Sequence, residues 1–158
     1  MIVAGEGVAR FVSEQVGAAI CPPYSTMGLM RGDRLVAGVV FNQFEGFDVH
    51  VTLAGRGWTK GFVEAVGEYV FRQLGCLRLT ATTEQPEVIS YAQRLGGEVE
   101  GRLRDHFGPG RDGIIIGILR SEWKFGSFPP DCSAADRHFT RFPNKEACFE
   151  DTLPRQTS

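Results

Sequence analysis

A strand-loop-helix-strand unit in the middle of the sequence constrains the fold more than any other feature. Residues 47–53 alternate between apolar and polar side chains, which is the period of a half-buried strand. Residues 61–74 carry apolar side chains at helical spacing, and residues 77–82 form a second short strand-like run. A helix between two short strands is typical of a parallel crossover. The unit therefore predicts a mixed α/β sheet with a central β-α-β crossover.

The flanking sequence adds a helix and a hairpin before this unit and a helix and a hairpin after it. Apolar residues at helical spacing predict an amphipathic helix over residues 5–19, which two consecutive prolines end. Two apolar runs around a Gly-Asp turn predict an antiparallel hairpin over residues 25–41. A proline-initiated helix over residues 85–95 and a closing hairpin over residues 99–119 complete the order α, β, β, β, α, β, α, β, β.

Size and charge exclude several classes of protein. A chain of 158 residues suits one domain with one core, and a net charge of −2 gives no basic footprint for nucleic acid. No apolar run approaches the roughly 20 residues that span a bilayer, and the N-terminus lacks a signal-peptide pattern. We therefore expect a cytoplasmic protein with neither a nucleic-acid nor a membrane partner. Cys132, His138 and Cys148 lack a compact zinc-ligand spacing, so no metal site is predicted.

The composition changes near the end of the chain. Residues 126–158 contain four prolines and show no clean periodicity. The sequence therefore predicts a domain over residues 1–125 and a C-terminal extension over residues 126–158. The phenylalanines of the extension predict that part of it docks on an apolar surface or binds a protein partner.

Three phrases resemble the GNAT superfamily of N-acetyltransferases. FVEAVGEYVFRQLGCLRLTAT is similar to the third helix and fifth strand of that family. YAQRLGGEVEGRLRD and GPGRDGIIIGILR are similar to its last helix and closing hairpin. The helix start GWTKGF also resembles small GNAT-like proteins that tailed phages encode. The resemblance covers about the middle two-thirds of the chain and implies a GNAT-like acyl-CoA acyltransferase fold.

The resemblance implies acetyl-CoA as the co-substrate. The family cradles the pyrophosphate in a Q/R-x-x-G-x-G/A loop whose backbone N–H groups face the anion at a helix N-terminus. The corresponding residues, with Thr59 at the place of the middle glycine, are Arg56, Gly57, Trp58, Thr59, Lys60 and Gly61. Gln85 aligns with an Asn that contacts the pantetheine arm. The backbone of Thr52, Leu53 and Ala54 would polarise the thioester carbonyl.

The candidate catalytic residues combine the resemblance with side-chain chemistry. The family places a tyrosine near the thiolate as general acid, but the aligned position holds Ala92 and the adjacent residue is Tyr91. Either Tyr91 replaces that acid or water does. His50 titrates near neutral pH and is the first candidate base, with Asp48 beside it on the same strand. A surface or structural role for His50 is the alternative.

Three functional hypotheses follow from these residues. The first is an acyl-CoA-dependent N-acetyltransferase that acts on an amine of a small molecule or a protein. The second is a catalytically weak or inactive GNAT-fold protein that binds a partner protein through its extension, such as a phage protein acting on host metabolism. The third is an α/β domain with no CoA site.

Overall fold

A single mixed sheet with helices on both faces forms the structure, a computed structural model that describes residues 1–128. The strands are β1 (Ile2–Val3), β2 (Tyr24–Arg31), β3 (Arg34–Asn42), β4 (Asp48–Gly55), β5 (Arg78–Thr83), β6 (Glu98–Leu103) and β7 (Gly113–Leu119). The helices are α1 (Glu6–Val16), α2 (Lys60–Glu68) and α3 (Pro86–Leu95). The strand order is β1-β2-β3-β4-β5-β7-β6, and only β4 and β5 pair in parallel.

The alternation along β4 divides the protein into two apolar layers. Val49 and Val51 face α2 and α3 and belong to the larger core. Ala54 points to the opposite face, where it packs with Val8 and Val12 of α1 in a smaller core. Because successive side chains of a strand point to opposite faces, Asp48, His50 and Thr52 must lie on the α1 side of the sheet.

Helix α2 continues as a π-helical turn over Tyr69–Gln73. The N–H of Leu74 donates to the carbonyl oxygen of Tyr69 at 2.9 Å, which is the i→i+5 spacing of such a turn. The turn places the Tyr69 hydroxyl 2.6 Å from the Ser25 hydroxyl and the Tyr69 ring 4.8 Å from the Phe41 ring. The C-terminal end of α2 is therefore held against β2 and β3.

The predicted fold class is confirmed, and four details of the prediction were wrong. The short strand β1 was missed, the first helix is shorter than predicted, and the π-helical turn was not foreseen. Phe47 was expected to be the first residue of its strand. It precedes β4 instead and is 53% exposed, and its carbonyl oxygen accepts the N–H groups of Leu77 and Arg78.

Two glycines let α1 approach the sheet closely. A Cβ atom at Gly38 would lie 2.9 Å from Cγ2 of Val12 and 3.0 Å from Cγ1 of Val8. A Cβ atom at Gly28 would lie 2.7 Å from Cγ2 of Val8. These distances are shorter than two carbon atoms tolerate. The lack of a side chain at Gly28 in β2 and at Gly38 in β3 therefore sets the distance between α1 and the sheet.

Substituting Gly38 with alanine should destabilise the protein by about 1–3 kcal/mol, because the added methyl overpacks the α1 contact. Gly7→Ala is the matched control, since Gly7 is an exposed residue of α1 with open space around its Cβ position. That change should stabilise the fold by up to about 1 kcal/mol through helix propensity. Urea unfolding of both variants checks the pair, and equal stabilities would contradict the packing argument.

Candidate functional site

The central parallel strands separate partway along their length. Their pairing ends at Val51 and Ala81. Beyond this point β4 runs on to Gly55 beside β3, and β5 runs on to Thr83 beside β7. The two main chains therefore enclose a gap, and the predicted carbonyl-polarising segment, residues 52–54, forms one of its edges.

The loop that follows β4 leads directly into the N-terminus of α2. Gly55 and Gly57 have positive φ angles of 97° and 77°, which favour glycine over residues with side chains. A Cβ atom at Gly55 would lie 2.2 Å from the carbonyl oxygen of Val36, so no side chain fits there. Thr59 is the N-cap residue, and its hydroxyl accepts the N–H of Phe62 at 3.2 Å. The residue at the place of the family's middle glycine thus caps the helix.

The first turn of α2 leaves two backbone donors for a ligand. The N–H of Phe62 is capped by the Thr59 side chain, and the N–H of Val63 donates to the Thr59 carbonyl oxygen at 3.0 Å. The N–H groups of Lys60 and Gly61 precede the first intrahelical bond. Within residues 1–128, no atom beyond the neighbouring residues and the helix backbone lies within 4 Å of a Cβ position at Gly61. An anion can therefore approach the positive end of the helix dipole directly.

Three basic side chains belong to the loop and this helix end or lie beside them. Arg56 and Lys60 are exposed, as a phosphate contact requires. The Lys60 ammonium lies 3.6 Å from the Glu64 carboxylate, an exposed pair whose attraction solvent weakens. The third is Arg31 at the end of β2, whose Nη2 lies 3.1 Å from the Cβ position of Gly57. Sequence analysis missed Arg31, because only the pairing of β2, β3 and β4 brings it to the loop.

An apolar cavity of about 50 Å³ lies beneath this loop, between α2, α3 and the sheet. Trp58 lines it, with its ring centroid 5.4 Å from that of Phe62 and 6.4 Å from that of Tyr91. Leu53 of β4 also lines it. The side chains of two predicted donor-site residues, Trp58 and Leu53, therefore line an apolar chamber.

Tyr91 and Gln85 lie at two different positions along α3. Tyr91 faces the cavity, with the Arg94 guanidinium 5.5 Å from its ring centroid, and burial raises the pKa of its hydroxyl. Ala92 beside it is buried. Gln85 is the exposed N-cap residue of α3, and its N–H donates to the Thr83 hydroxyl at 3.1 Å. Its side chain does not cap the helix.

His50 and Asp48 lie on the opposite face of the sheet from Tyr91. One imidazole nitrogen of His50, Nε2, is 3.2 Å from the Thr82 hydroxyl. The Thr80 hydroxyl donates to the Asp48 carboxylate at 2.8 and 2.9 Å, and Nε of Arg78 donates to Thr80 at 3.1 Å. Asp48 is therefore held in a hydrogen-bonded network. It does not contact the imidazole by a direct hydrogen bond among the described residues.

Burial lowers the pKa of His50, and the nearby His106 lowers it further, whereas Asp48 raises it. The imidazole is therefore neutral at pH 7 and able to accept a proton. Asn42 is the cross-strand neighbour of His50. Its Oδ1 atom is buried and has no hydrogen-bond partner among the described residues. A buried acceptor of this kind favours a ligand that donates an N–H group, and no local sequence pattern indicated it.

Solved structures of acetyltransferases share this architecture. A point mutant of the spermidine N-acetyltransferase SpeG from Vibrio cholerae superimposes with a TM-score of 0.62 at 14% identity, over 77% of this chain and 95% of that chain. The same enzyme in complex with CoA and spermine gives a TM-score of 0.61 at 14% identity, over 77% and 96%. This chain has the GNAT fold. No family model matches the sequence, and no curated protein matches it.

The described residues add two observations. None of their helices is long and apolar enough to cross a membrane. Residues 1–128 contain no group of three or more His, Cys, Asp or Glu side chains that could hold a metal ion. Cys132, His138 and Cys148 lie outside the described residues, as does most of the C-terminal extension.

The His50→Gln variant should make stability less sensitive to acid. The folded protein binds the His50 proton less readily than the unfolded chain, where histidine titrates near pH 6.5. Stability should therefore fall as the pH drops below about 6.5, and the loss should be complete below the folded pKa. Glutamine cannot titrate but can still contact Thr82. Urea unfolding at pH 7.5 and 5.5 should show a smaller loss for the variant, and equal losses would refute the assignment.

Proposed function

We propose that this protein is an acyl-CoA-dependent N-acetyltransferase that transfers an acetyl group from acetyl-CoA to an amine. The observation that carries the proposal is the gap between β4 and β5, which leads into the approachable N-terminus of α2. An extended thioester arm needs such a gap, and a pyrophosphate needs such a helix end. The shared fold with the Vibrio cholerae acetyltransferases supports the same assignment.

The donor would bind along the loop and the gap. The N–H groups of Lys60 and Gly61 would meet the pyrophosphate, and the guanidinium groups of Arg31 and Arg56 would neutralise its charge. The pantetheine arm would then enter between the strands, past Gln85 at the start of α3. Backbone groups of residues 52–54 would hold the thioester carbonyl, whose oxygen gains negative charge during the reaction.

The acceptor would approach from the α1 side of the sheet. His50 would take a proton from the amine nitrogen as that nitrogen attacks the thioester carbon, and the Asn42 oxygen would accept the second N–H. The C–N bond forms, the C–S bond breaks, and CoA leaves as a thiolate. Tyr91, which burial keeps protonated, would return a proton to the sulfur from the opposite face. Asp48 would position the polar network around His50.

The extension forms a separate part of this proposal. We assign residues 1–125 to the acyltransferase domain and residues 126–158 to an extension that contacts a protein partner, in a cytoplasmic protein. The start of the extension already packs on the domain, since the Phe128 ring lies 5.5 Å from the Phe71 ring and 5.9 Å from the Arg72 guanidinium. A chain that binds CoA but never turns over would favour the partner-binding role instead.

Calorimetric titration should detect saturable binding of acetyl-CoA, free CoA and adenosine 3′,5′-bisphosphate. Arg31→Ala, Arg56→Ala and Lys60→Ala should each weaken binding about threefold to tenfold, as exposed charge-assisted contacts do. Arg10→Ala is the matched control, because Arg10 is an exposed cation on α1, on the other face of the sheet. It should leave the dissociation constant unchanged. No binding at millimolar acetyl-CoA would remove the proposal.

Turnover with a broad panel of amines, polyamines included, should depend on His50. The rate at low substrate should rise with pH through an apparent pKa below 6.5, as the neutral imidazole forms. His50→Gln should lower kcat by about 10²-fold to 10⁴-fold, whereas the affinity for CoA should stay the same. An Asn42→Leu variant should raise KM for the amine more than it lowers kcat. Undiminished turnover in His50→Gln would show that water is the base.

A further inference from the structure

The apolar cavity beneath Trp58 has a lining that suits a hydrocarbon group. It extends from Leu53 and Tyr91 near the loop to Ile118 and Trp123 deeper in the core. Every lining residue is aliphatic or aromatic. The Nε1 atom of Trp123 donates to the Phe125 carbonyl oxygen at 2.7 Å, so this polar atom is already satisfied. Water needs two to four polar partners in a cavity, and these walls do not provide them.

Two small side chains create the space. Ala81 of β5 and Ala92 of α3 both line the cavity, and they are 6% and 8% exposed. A larger aliphatic residue at either position would fill the volume with protein. An empty apolar cavity lowers stability, so an occupant that supplies the missing contacts would bind favourably.

The cavity also reaches the point where the central strands part. Val51 and Ala81 form the last pair of the β4–β5 ladder, and both of them line the cavity. The proposed function places the thioester in the gap just beyond this pair. The carbonyl carbon of a bound thioester would therefore lie at the entrance of the cavity, and the rest of the acyl group would point into it.

Resting on the proposed function, we propose that this cavity is an acyl pocket, so that the donor site that takes acetyl-CoA binds an aliphatic acyl group of about three or four carbons more tightly. The cavity measures about 50 Å³, whereas one water needs about 10–15 Å³. The cavity therefore admits a few groups of methyl size. Leu79, Ile118 and Trp123 line the part of the cavity away from the gap, which limits the length of the chain.

The test is a calorimetric series with free CoA and its acetyl, propionyl, butyryl and octanoyl thioesters on the full-length protein. Each methylene from acetyl to butyryl should tighten binding by up to about fourfold, and octanoyl-CoA should bring no further gain. Equal affinities across the series, with free CoA still bound, would overturn the acyl pocket alone. Failure of free CoA to bind would instead overturn the proposed function on which the pocket rests.

Matched variants locate the effect in the cavity. Ala92→Leu should abolish the advantage of butyryl-CoA over acetyl-CoA, because the new side chain occupies the pocket. Leu95→Ala should enlarge the pocket and shift the preference to longer chains. Ala19→Leu adds the same atoms at an exposed position and should leave the preference as it is. Should Ala92→Leu fail to fold, Ala81→Val tests the same wall. An unchanged preference in these cavity variants would refute the pocket.

Discussion

The short parallel ladder between β4 and β5 is the constraint on which the remaining structure depends. Four residues of each strand pair, and then the outer neighbours β3 and β7 draw the strands apart. Antiparallel pairing with these neighbours satisfies the outer edges of both strands, so the fold tolerates open inner edges without losing the sheet. Without this pairing on their outer edges, the unpaired backbone groups at the gap would destabilise the centre of the sheet.

The two sides of the gap offer different chemistry because the strand period is two. The odd-numbered residues of β4, such as Val51 and Leu53, line an apolar chamber under α2 and α3. The even-numbered residues, such as His50 and Thr52, lie on the opposite face beside polar neighbours. A thioester in the gap would thus have its hydrocarbon parts on one side and a proton acceptor on the other. This separation keeps the base and the apolar ligand from competing for the same space.

The sequence predicted regular elements better than contacts between them. The apolar periods of α2 and β4 depend on neighbouring residues, and they indicated the crossover correctly. The π-helical turn escaped prediction because apolar residues four apart fit both helix types. Arg31, Asn42 and the cavity escaped as well. Each depends on register across strands that are far apart in sequence, which no local pattern encodes.

The sequence by itself determined the order of the helices and strands apart from β1 and the π-helical turn, the glycines of the loop after β4, and the side chains available for chemistry. Only the tertiary structure decided which of these groups meet. It placed Trp58 against the cavity, made Thr59 a helix cap, and put Tyr91 and His50 on opposite faces of the sheet. The physical reason is that the local sequence pattern determines whether a segment forms a helix, a strand or a turn. Strand pairing and packing determine which side chains that are distant in sequence become neighbours.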